Sequence, residues 1–372
     1  MHIVLTTNTS FVAANFRAGL IKALLAEGHS ITVLASHDAF SKKLTSMGCQ
    51  VIPIDIDRNG TNPFSETRAL IAIYRNLKRI RPDIVFSFTI KNNIYAGLAC
   101  RTLGIPIAPN VTGLGPAFGS SGALNWLVRN LYRIAFRKAR KVFFQNSDDR
   151  DVFLNAELVP DERAHLLPGS GVDLTKFGMA PMPKGDESIH FLLVARMLED
   201  KGVGLFVDAA QQVKAAHPRA RFQLLGPIDS DSRTAIAKAE IDRWVSDGLV
   251  EYLGTKTDVR PALLQAHCIV LPSYYHEGTP RSLLEAGAMG RPIITTDMPG
   301  CRDTISQGVN GFLVHPRDAT DLARAMQSFV ALSANERQAM GLASRRLMEA
   351  KYDEKFVINA YLTLMASSLK NE

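Results

Sequence analysis

Two carboxylates stand eight positions apart in the run Ser273-Tyr-Tyr-His-Glu277-Gly278-Thr279-Pro280-Arg281-Ser282-Leu283-Leu284-Glu285-Ala286. The first sits on a Gly-Thr-Pro turn. The second falls on a helix whose buried side is predicted by the spacing of Leu283, Leu284 and Met289. Pro280 suits the first turn of that helix, where its missing N–H costs nothing. Free backbone N–H groups at a helix mouth hold phosphate or sugar oxygens, and Glu285 is expected about two turns deeper along the axis. A sugar nucleotide carries hydroxyls at both ends and a diphosphate between them, so this run could grip it whole. Either glutamate alone reads more readily as an ordinary acid near a helix N-terminus or in solvent.

Two cations lie upstream. The apolar stretch Leu193-Val194-Ala195 ends at Arg196, and Met197-Leu-Glu-Asp-Lys201-Gly202 follows. Ligands of doubly wound sheets bind at the carboxyl ends of strands. There the forked guanidinium of Arg196 and the compact ammonium of Lys201 could bracket a diphosphate. They would stabilise it as it departs. An ordinary surface pair is the alternative reading.

Taken together, Glu277-x7-Glu285 with its Gly-x-Pro and Leu-Glu-Ala flanks, and Arg196-x4-Lys201-Gly202, resemble the signature of family 4 retaining glycosyltransferases. That family has the GT-B fold, in which two Rossmann-like domains face each other across a cleft. The resemblance implies that Glu277 contacts donor-sugar hydroxyls and that Glu285 accepts hydrogen bonds from the ribose. It assigns the diphosphate to Arg196, Lys201 and the backbone of Gly278, Thr279, Pro280 and Arg281, and the nucleobase to Gly254 and Thr255. It also implies same-face attack through an oxocarbenium-like transition state without a protein nucleophile. No metal or other cofactor is expected, and a UDP-sugar serves as co-substrate.

The chain departs from that pattern in its first half. The loop Thr6-Thr-Asn8-Thr-Ser-Phe11 lacks the family's Gly-Gly turn, and Ile90 stands where many relatives have histidine, which leaves the general base open. Lys91 is the obvious substitute, as a ligand for an acceptor phosphate. Thr112, Gly113 and Gly115 offer either a close backbone contact or a turn. The strings Ser87-Phe-Thr-Ile-Lys-Asn-Asn93 and Asn110-Val-Thr-Gly-Leu-Gly115 are similar to those of bacterial enzymes that extend undecaprenyl-diphosphate-linked oligosaccharides. The implied partners are a nucleotide-sugar donor and a lipid-linked saccharide acceptor. The implied location is the cytoplasm, peripheral to the inner face of the plasma membrane.

The elements that must carry these residues alternate strand and helix, which predicts parallel sheets covered on both faces. Strands are expected at residues 2–7, 31–35, 51–54, 84–88, 105–109 and 142–145, with a helix over 13–27. The pattern breaks around Leu166-Leu-Pro-Gly-Ser-Gly171. It restarts with strands at 190–195, 222–226, 249–253, 268–271, 292–295 and 312–314. The fold class is therefore α/β, with two doubly wound domains at 1–174 and 175–352. A final helix within 353–372 is expected to pack back on the first domain, as the family resemblance implies.

At 372 residues, with 46% hydrophobic and 21% charged, the composition suits two globular domains. No apolar stretch approaches the ~20 residues of a membrane span, and the N-terminus reads as a first strand rather than a signal peptide. The four cysteines are far apart and form no metal-spaced set. Two Asp-x-Asp strings, at Asp55 and Asp57 and at Asp229 and Asp231, read as solvated loop acids rather than metal ligands.

The net charge of +7 belongs wholly to the first half, where residues 1–175 hold 20 Lys+Arg against 13 Asp+Glu. Much of it lies in residues 124–142. On one helix Arg129, Arg133, Arg137 and Lys141 would form a cationic stripe containing Trp126, with Leu124, Leu127, Leu131 and Ile134 opposite. Such a surface suits anionic lipid head groups, or merely solvates a helix whose leucines pack on the sheet. Four other function classes are weaker. A nicotinamide dehydrogenase lacks its Gly-x-Gly-x-x-Gly, and nucleic-acid binding lacks a reading motif. A sugar-nucleotide epimerase of the same fold, or a non-catalytic nucleotide-sugar or lipid-binding scaffold, stays open.

Overall fold

The computed structural model describes residues 1–56, 62–115, 118, 122–183 and 188–369. Two compact units emerge: Met1–Gly171 joined by the C-terminal helix Glu354–Leu369, and Val172–Asp353. The sequence break was expected at 174/175, whereas the chain passes between units at 171/172 and returns at 353/354.

Among the described residues the first unit holds a seven-stranded parallel sheet. Its strands are β1 His2–Thr9, β2 Ser30–Ser36, β3 Gln50–Pro53, β4 Ile84–Phe88, β5 Ile107–Val111, β6 Val142–Phe144 and β7 Ala164–Leu166. The order is β3-β2-β1-β4-β5-β6-β7, so the winding reverses between β1 and β4. These strands are near-continuous apolar runs because helices cover both faces. Ile3, Val4, Leu5, Val33, Leu34, Val85 and Phe86 are all fully buried.

The expected helix over 13–27 is two helices, Ser10–Phe16 and Ala18–Ala26, interrupted at Arg17. Arg17 is 4% exposed and lies 4.3 Å over the Phe88 ring. Seating that guanidinium on an aromatic face breaks the regular helix. β7 was not expected. It is three residues long and, among the described residues, pairs with β6 alone.

The C-terminal helix completes the first unit's core. Val357, Tyr361, Leu364 and Met365 are buried in one cluster with Ile3, Leu5, Phe86 and Phe143. The Tyr361 ring lies 4.8 Å from that of Phe86 and 4.7 Å from that of Phe143, and its hydroxyl accepts a 3.1 Å hydrogen bond from Asn110 Nδ2.

The second unit repeats the plan. Its strands are β8 His190–Val194, β9 Arg221–Leu225, β10 Glu251–Tyr252, β11 Cys268–Leu271, β12 Ile293–Thr296 and β13 Gly311–Val314, in the order β10-β9-β8-β11-β12-β13. The winding reverses between β8 and β11, so the loops after those two strands flank the switch point where a ligand crevice forms. β10 is only two residues long, against the five expected.

Candidate functional site

In the second unit the loops after β8 and β11 are stitched together at the switch point. Lys201 Nζ donates to Glu277 Oε1, with side chains 13% and 14% exposed. The Ser273 hydroxyl lies 3.1 Å from the same oxygen and 3.2 Å from the backbone oxygen of Asp200. Asp200 O also accepts the Tyr274 N–H at 3.0 Å. The Lys201 ammonium sits 5.0 Å over the Tyr275 ring, which binds the cation further. Burial raises the Asp200 carboxyl above its ordinary range, and its Oδ1 finds no hydrogen-bond partner among the described residues.

The turn bearing Glu277 is braced from behind. Thr296, at the end of β12, donates its hydroxyl to the Ser273 carbonyl. Gly300 follows with φ +76°. A Cβ there would stand 1.6 Å from the Gly278 oxygen and 3.0 Å from the Glu277 oxygen. Only glycine lets the two backbones approach so closely. Gly278, Thr279 and Pro280 are buried, and Pro280 is the N-cap rather than a first-turn residue. The helix runs Arg281–Ala288. Glu285 therefore lies about one turn inside it, not two.

Glu285 has different company. Its Oε1 accepts from Arg281 Nε at 2.9 Å, and the two side chains are 14% and 12% exposed. Burial raises its carboxyl, against the opposing charge and hydrogen bond of Arg281. It is thus not a solvated helical acid. Arg196 is 42% exposed and pairs with Asp229 at 2.7 Å. Asp229 is only 20% exposed there, which corrects its reading as a solvated acid. Asp55 is exposed as expected, and Asp57 lies outside the described residues. Gly254 and Thr255 follow β10, where Gly254 O accepts the Gly226 N–H at 3.0 Å. The structure thus joins Lys201 to Glu277, and gives Arg196 and Glu285 separate partners.

The first unit's switch point is a knot of amides and hydroxyls. Asn8 Oδ1 accepts from Thr89 Oγ1 and from Asn92 Nδ2, each at 2.7 Å, bridging the ends of β1 and β4. Thr89 holds φ +77° and ψ 157°, a conformation almost confined to glycine. Lys91, on the helix Ile90–Leu103, is paired with Glu66 at 2.5 Å, and Tyr95 donates to the same carboxylate. Its charge is therefore already countered. Thr112, Gly113 and Gly115 follow β5, and Gly113 and Gly115 have φ of +119° and +63°.

The expected membrane helix is shorter and turned about its axis. It runs Ala123–Phe136, so Arg137 is its C-cap and Lys141 lies beyond it, just before β6. Its buried residues are Val128, Tyr132, Ala135 and Phe136. Tyr132 and Phe136 pack their rings against Phe153, and this large aromatic area sets the rotation. Leu124, Trp126, Leu127 and Ile134 are left 48%, 68%, 47% and 42% exposed. Arg129 instead lies 5.6 Å over the Phe118 ring, and Arg133 donates to Ala156 O at 3.1 Å. No described helix is long and apolar enough to cross a membrane.

Reasoning from sequence missed Ser273, Thr296, Gly300 and Thr89. Ser273 stands four positions before Glu277, but nothing local marks Thr296 or Gly300, which reach the site only through sheet pairing.

The geometry accords with what the chain is similar to. A model described as glycosyl transferases group 1 matches residues 188–331, and one described as glycosyl transferase 4-like matches residues 3–146. An N,N'-diacetylbacillosaminyl-diphospho-undecaprenol alpha-1,3-N-acetylgalactosaminyltransferase of Campylobacter jejuni is 28% identical over 374 residues, 96% of each chain. A UDP-Gal:alpha-D-GlcNAc-diphosphoundecaprenol alpha-1,3-galactosyltransferase of Escherichia coli is 26% identical over 70% of each. Among solved structures, Anabaena HepE in complex with UDP and glucose superposes with TM-score 0.80 at 17% identity, covering 99% of this chain and 100% of that one. A Rickettsia africae glycosyltransferase gives 0.78 at 19%, covering 100% and 99%. The chain belongs to the family 4 glycosyltransferases and has their GT-B fold of two Rossmann-like domains.

Proposed function

We propose that this glycosyltransferase moves a sugar from a UDP-sugar to a polyprenyl-diphosphate-linked saccharide, with retention of anomeric configuration and without a metal. The observation that carries the reading is the part-buried Lys201–Glu277 contact beside Ser273 at the second sheet's switch point. It places a carboxylate and a cation at one spot, as a sugar hydroxyl and an adjoining phosphate require. Two relatives, matching 96% and 70% of the chain, support the acceptor, since both are named for diphospho-undecaprenol substrates.

In this mechanism Glu277 accepts hydrogen bonds from donor-sugar hydroxyls while Lys201 and Arg196 stabilise the diphosphate. The bond between the anomeric carbon and the diphosphate oxygen breaks. The acceptor hydroxyl attacks the same face, and its proton passes to the departing diphosphate. Donor binding would compete with Asp229 for Arg196, whose pair is exposed and weak. Glu285 accepts from the ribose, and Gly254 and Thr255 border the base. In the first unit, Thr112, Gly113, Gly115 and the Asn8–Thr89–Asn92 knot receive the acceptor. The strain held at Thr89 is the kind that persists at binding sites. Lys91 contributes only if an acceptor phosphate displaces Glu66. The exposed apolar residues of the helix Ala123–Phe136, with Arg137 at its end, rest on the anionic membrane surface that carries the acceptor.

The test is a UDP-release assay over a donor panel with a synthetic polyprenyl-diphosphate saccharide. Release should require the acceptor, survive EDTA and yield a retained linkage by NMR. Glu277→Ala should lower kcat about 10²–10³-fold, as loss of a transition-state contact does. A UDP-sugar consumed without acceptor would point to the epimerase instead.

A further inference from the structure

The pair Arg281–Glu285 differs from the other helical ion pairs of its unit. Lys238–Asp242 spans the same four positions with side chains 71% and 57% exposed, and in Arg345–Glu349 the carboxylate is 50% exposed. In Arg281–Glu285 both ends lie at or below 14%. A pair buried this far loses its solvation without a matching gain in stability, so helix stabilisation alone does not account for it. A carboxylate at this depth drifts toward its neutral form. Besides Arg281, Glu285 faces two charged groups. Lys176, from the segment before the first helix of its unit, favours its charge, and Asp258 opposes it. Asp258 is itself held by Arg260 at 2.8 Å. Arg281 is the largest of the influences that keep Glu285 charged. Its Nε donates to Glu285 Oε1 at 2.9 Å.

We propose that Arg281 is a positioning residue for nucleotide recognition, holding Glu285 ionised and fixed so that its carboxylate accepts hydrogen bonds from the ribose hydroxyls of a uridine diphosphate. This rests on the ribose role given to Glu285 above. A neutral carboxyl turns one of its two oxygens into a donor, and ribose discrimination falls with it. Loss of Arg281 therefore makes recognition of the ribose depend on pH. Glu285 then takes up its proton at a higher pH, and discrimination fades as the solution is acidified.

Calorimetric titration of the full chain with UDP and with 2′-deoxy-UDP, between about pH 5.5 and 8, separates the possibilities. The wild type should prefer UDP about tenfold or more, as a hydrogen bond to a charged group gives. Glu285→Gln should lose that preference at every pH. Arg281→Met should keep it at the alkaline end and lose it toward acid, at a higher pH than the wild type does. Arg281→Lys should restore the wild-type profile. Arg281→Gln carries the same expectation as Arg281→Met and replaces it if the methionine variant misfolds. A purely structural role would weaken both nucleotides alike at all pH values. A wild-type ratio throughout in Arg281→Met overturns the proposal while leaving the role of Glu285 standing. Full preference in Glu285→Gln, or none in the wild type, overturns the ribose reading and this proposal together.

Discussion

Alanine at Gly300 tests whether the turn bearing Glu277 must stay where the β12 loop holds it. The added Cβ would fall 1.6 Å from the Gly278 oxygen, a pair of atoms that real side chains keep at least 3.0 Å apart. The turn, with Glu277 on it, must therefore retreat by more than an ångström. A misplacement of about 1 Å at reacting groups costs on the order of 10²-fold in rate, or about 2.7 kcal/mol of barrier. Alanine also suffers at φ +76°, by about 1–2 kcal/mol. Gly308 supplies the control. Its φ is +73°, and a Cβ there meets nothing within 4 Å. Gly308→Ala carries the same backbone strain without the push. We expect kcat at saturating donor and acceptor to fall about 10²-fold in Gly300→Ala and to stay near wild type in Gly308→Ala. Thermal melts should show both folded, with Gly300→Ala the less stable by a further ~1–3 kcal/mol of overpacking. A folded Gly300→Ala within about threefold of the wild-type kcat would refute the bracing argument, because that is under 1 kcal/mol of barrier.

Two further outcomes follow from the first unit. Trp126→Ser with Leu127→Ser removes apolar surface that is 68% and 47% exposed in the free chain. The melting temperature should hold while vesicle affinity drops roughly 30–1000-fold, at about 1–2 kcal/mol for each of the two side chains. Co-sedimentation indifferent to this change, to salt and to anionic lipid would dismiss the membrane role. Tyr361→Phe deletes the hydroxyl that accepts from Asn110 and should cost about 1 kcal/mol. Tyr361→Ala should cost about 3–5 kcal/mol. Denaturant melts followed in the first unit will read both, and equal stability of the two variants would contradict the packing described.

Strand placement was legible because parallel strands buried on both faces announce themselves as short apolar runs, and 84–88 and 268–271 were read to the residue. β7 was illegible because three residues carry no pattern, and β10 was overread because apolar neighbours outlast the ladder. The Glu277–Glu285 run was visible through its own spacing. Its supports were not. Thr296 and Gly300 belong to the next strand and loop, and only the register of β11 against β12 delivers them. The pairing of Arg196 with Asp229 joins residues 33 apart, a separation that no local pattern encodes. The helix Ala123–Phe136 shows a different failure. Leucine periodicity and aromatic placement favoured different faces, and the larger rings of Tyr132 and Phe136 decided which one turned inward.

The route of the chain has a consequence for synthesis. The residues that seal the opening unit's interior, Val357, Tyr361, Leu364 and Met365, are translated only after the whole intervening unit. On the ribosome the middle stretch can mature as an unbroken piece. The earlier sheet must wait with one apolar flank bare, the state in which nascent proteins are most exposed to aggregation and to chaperone capture.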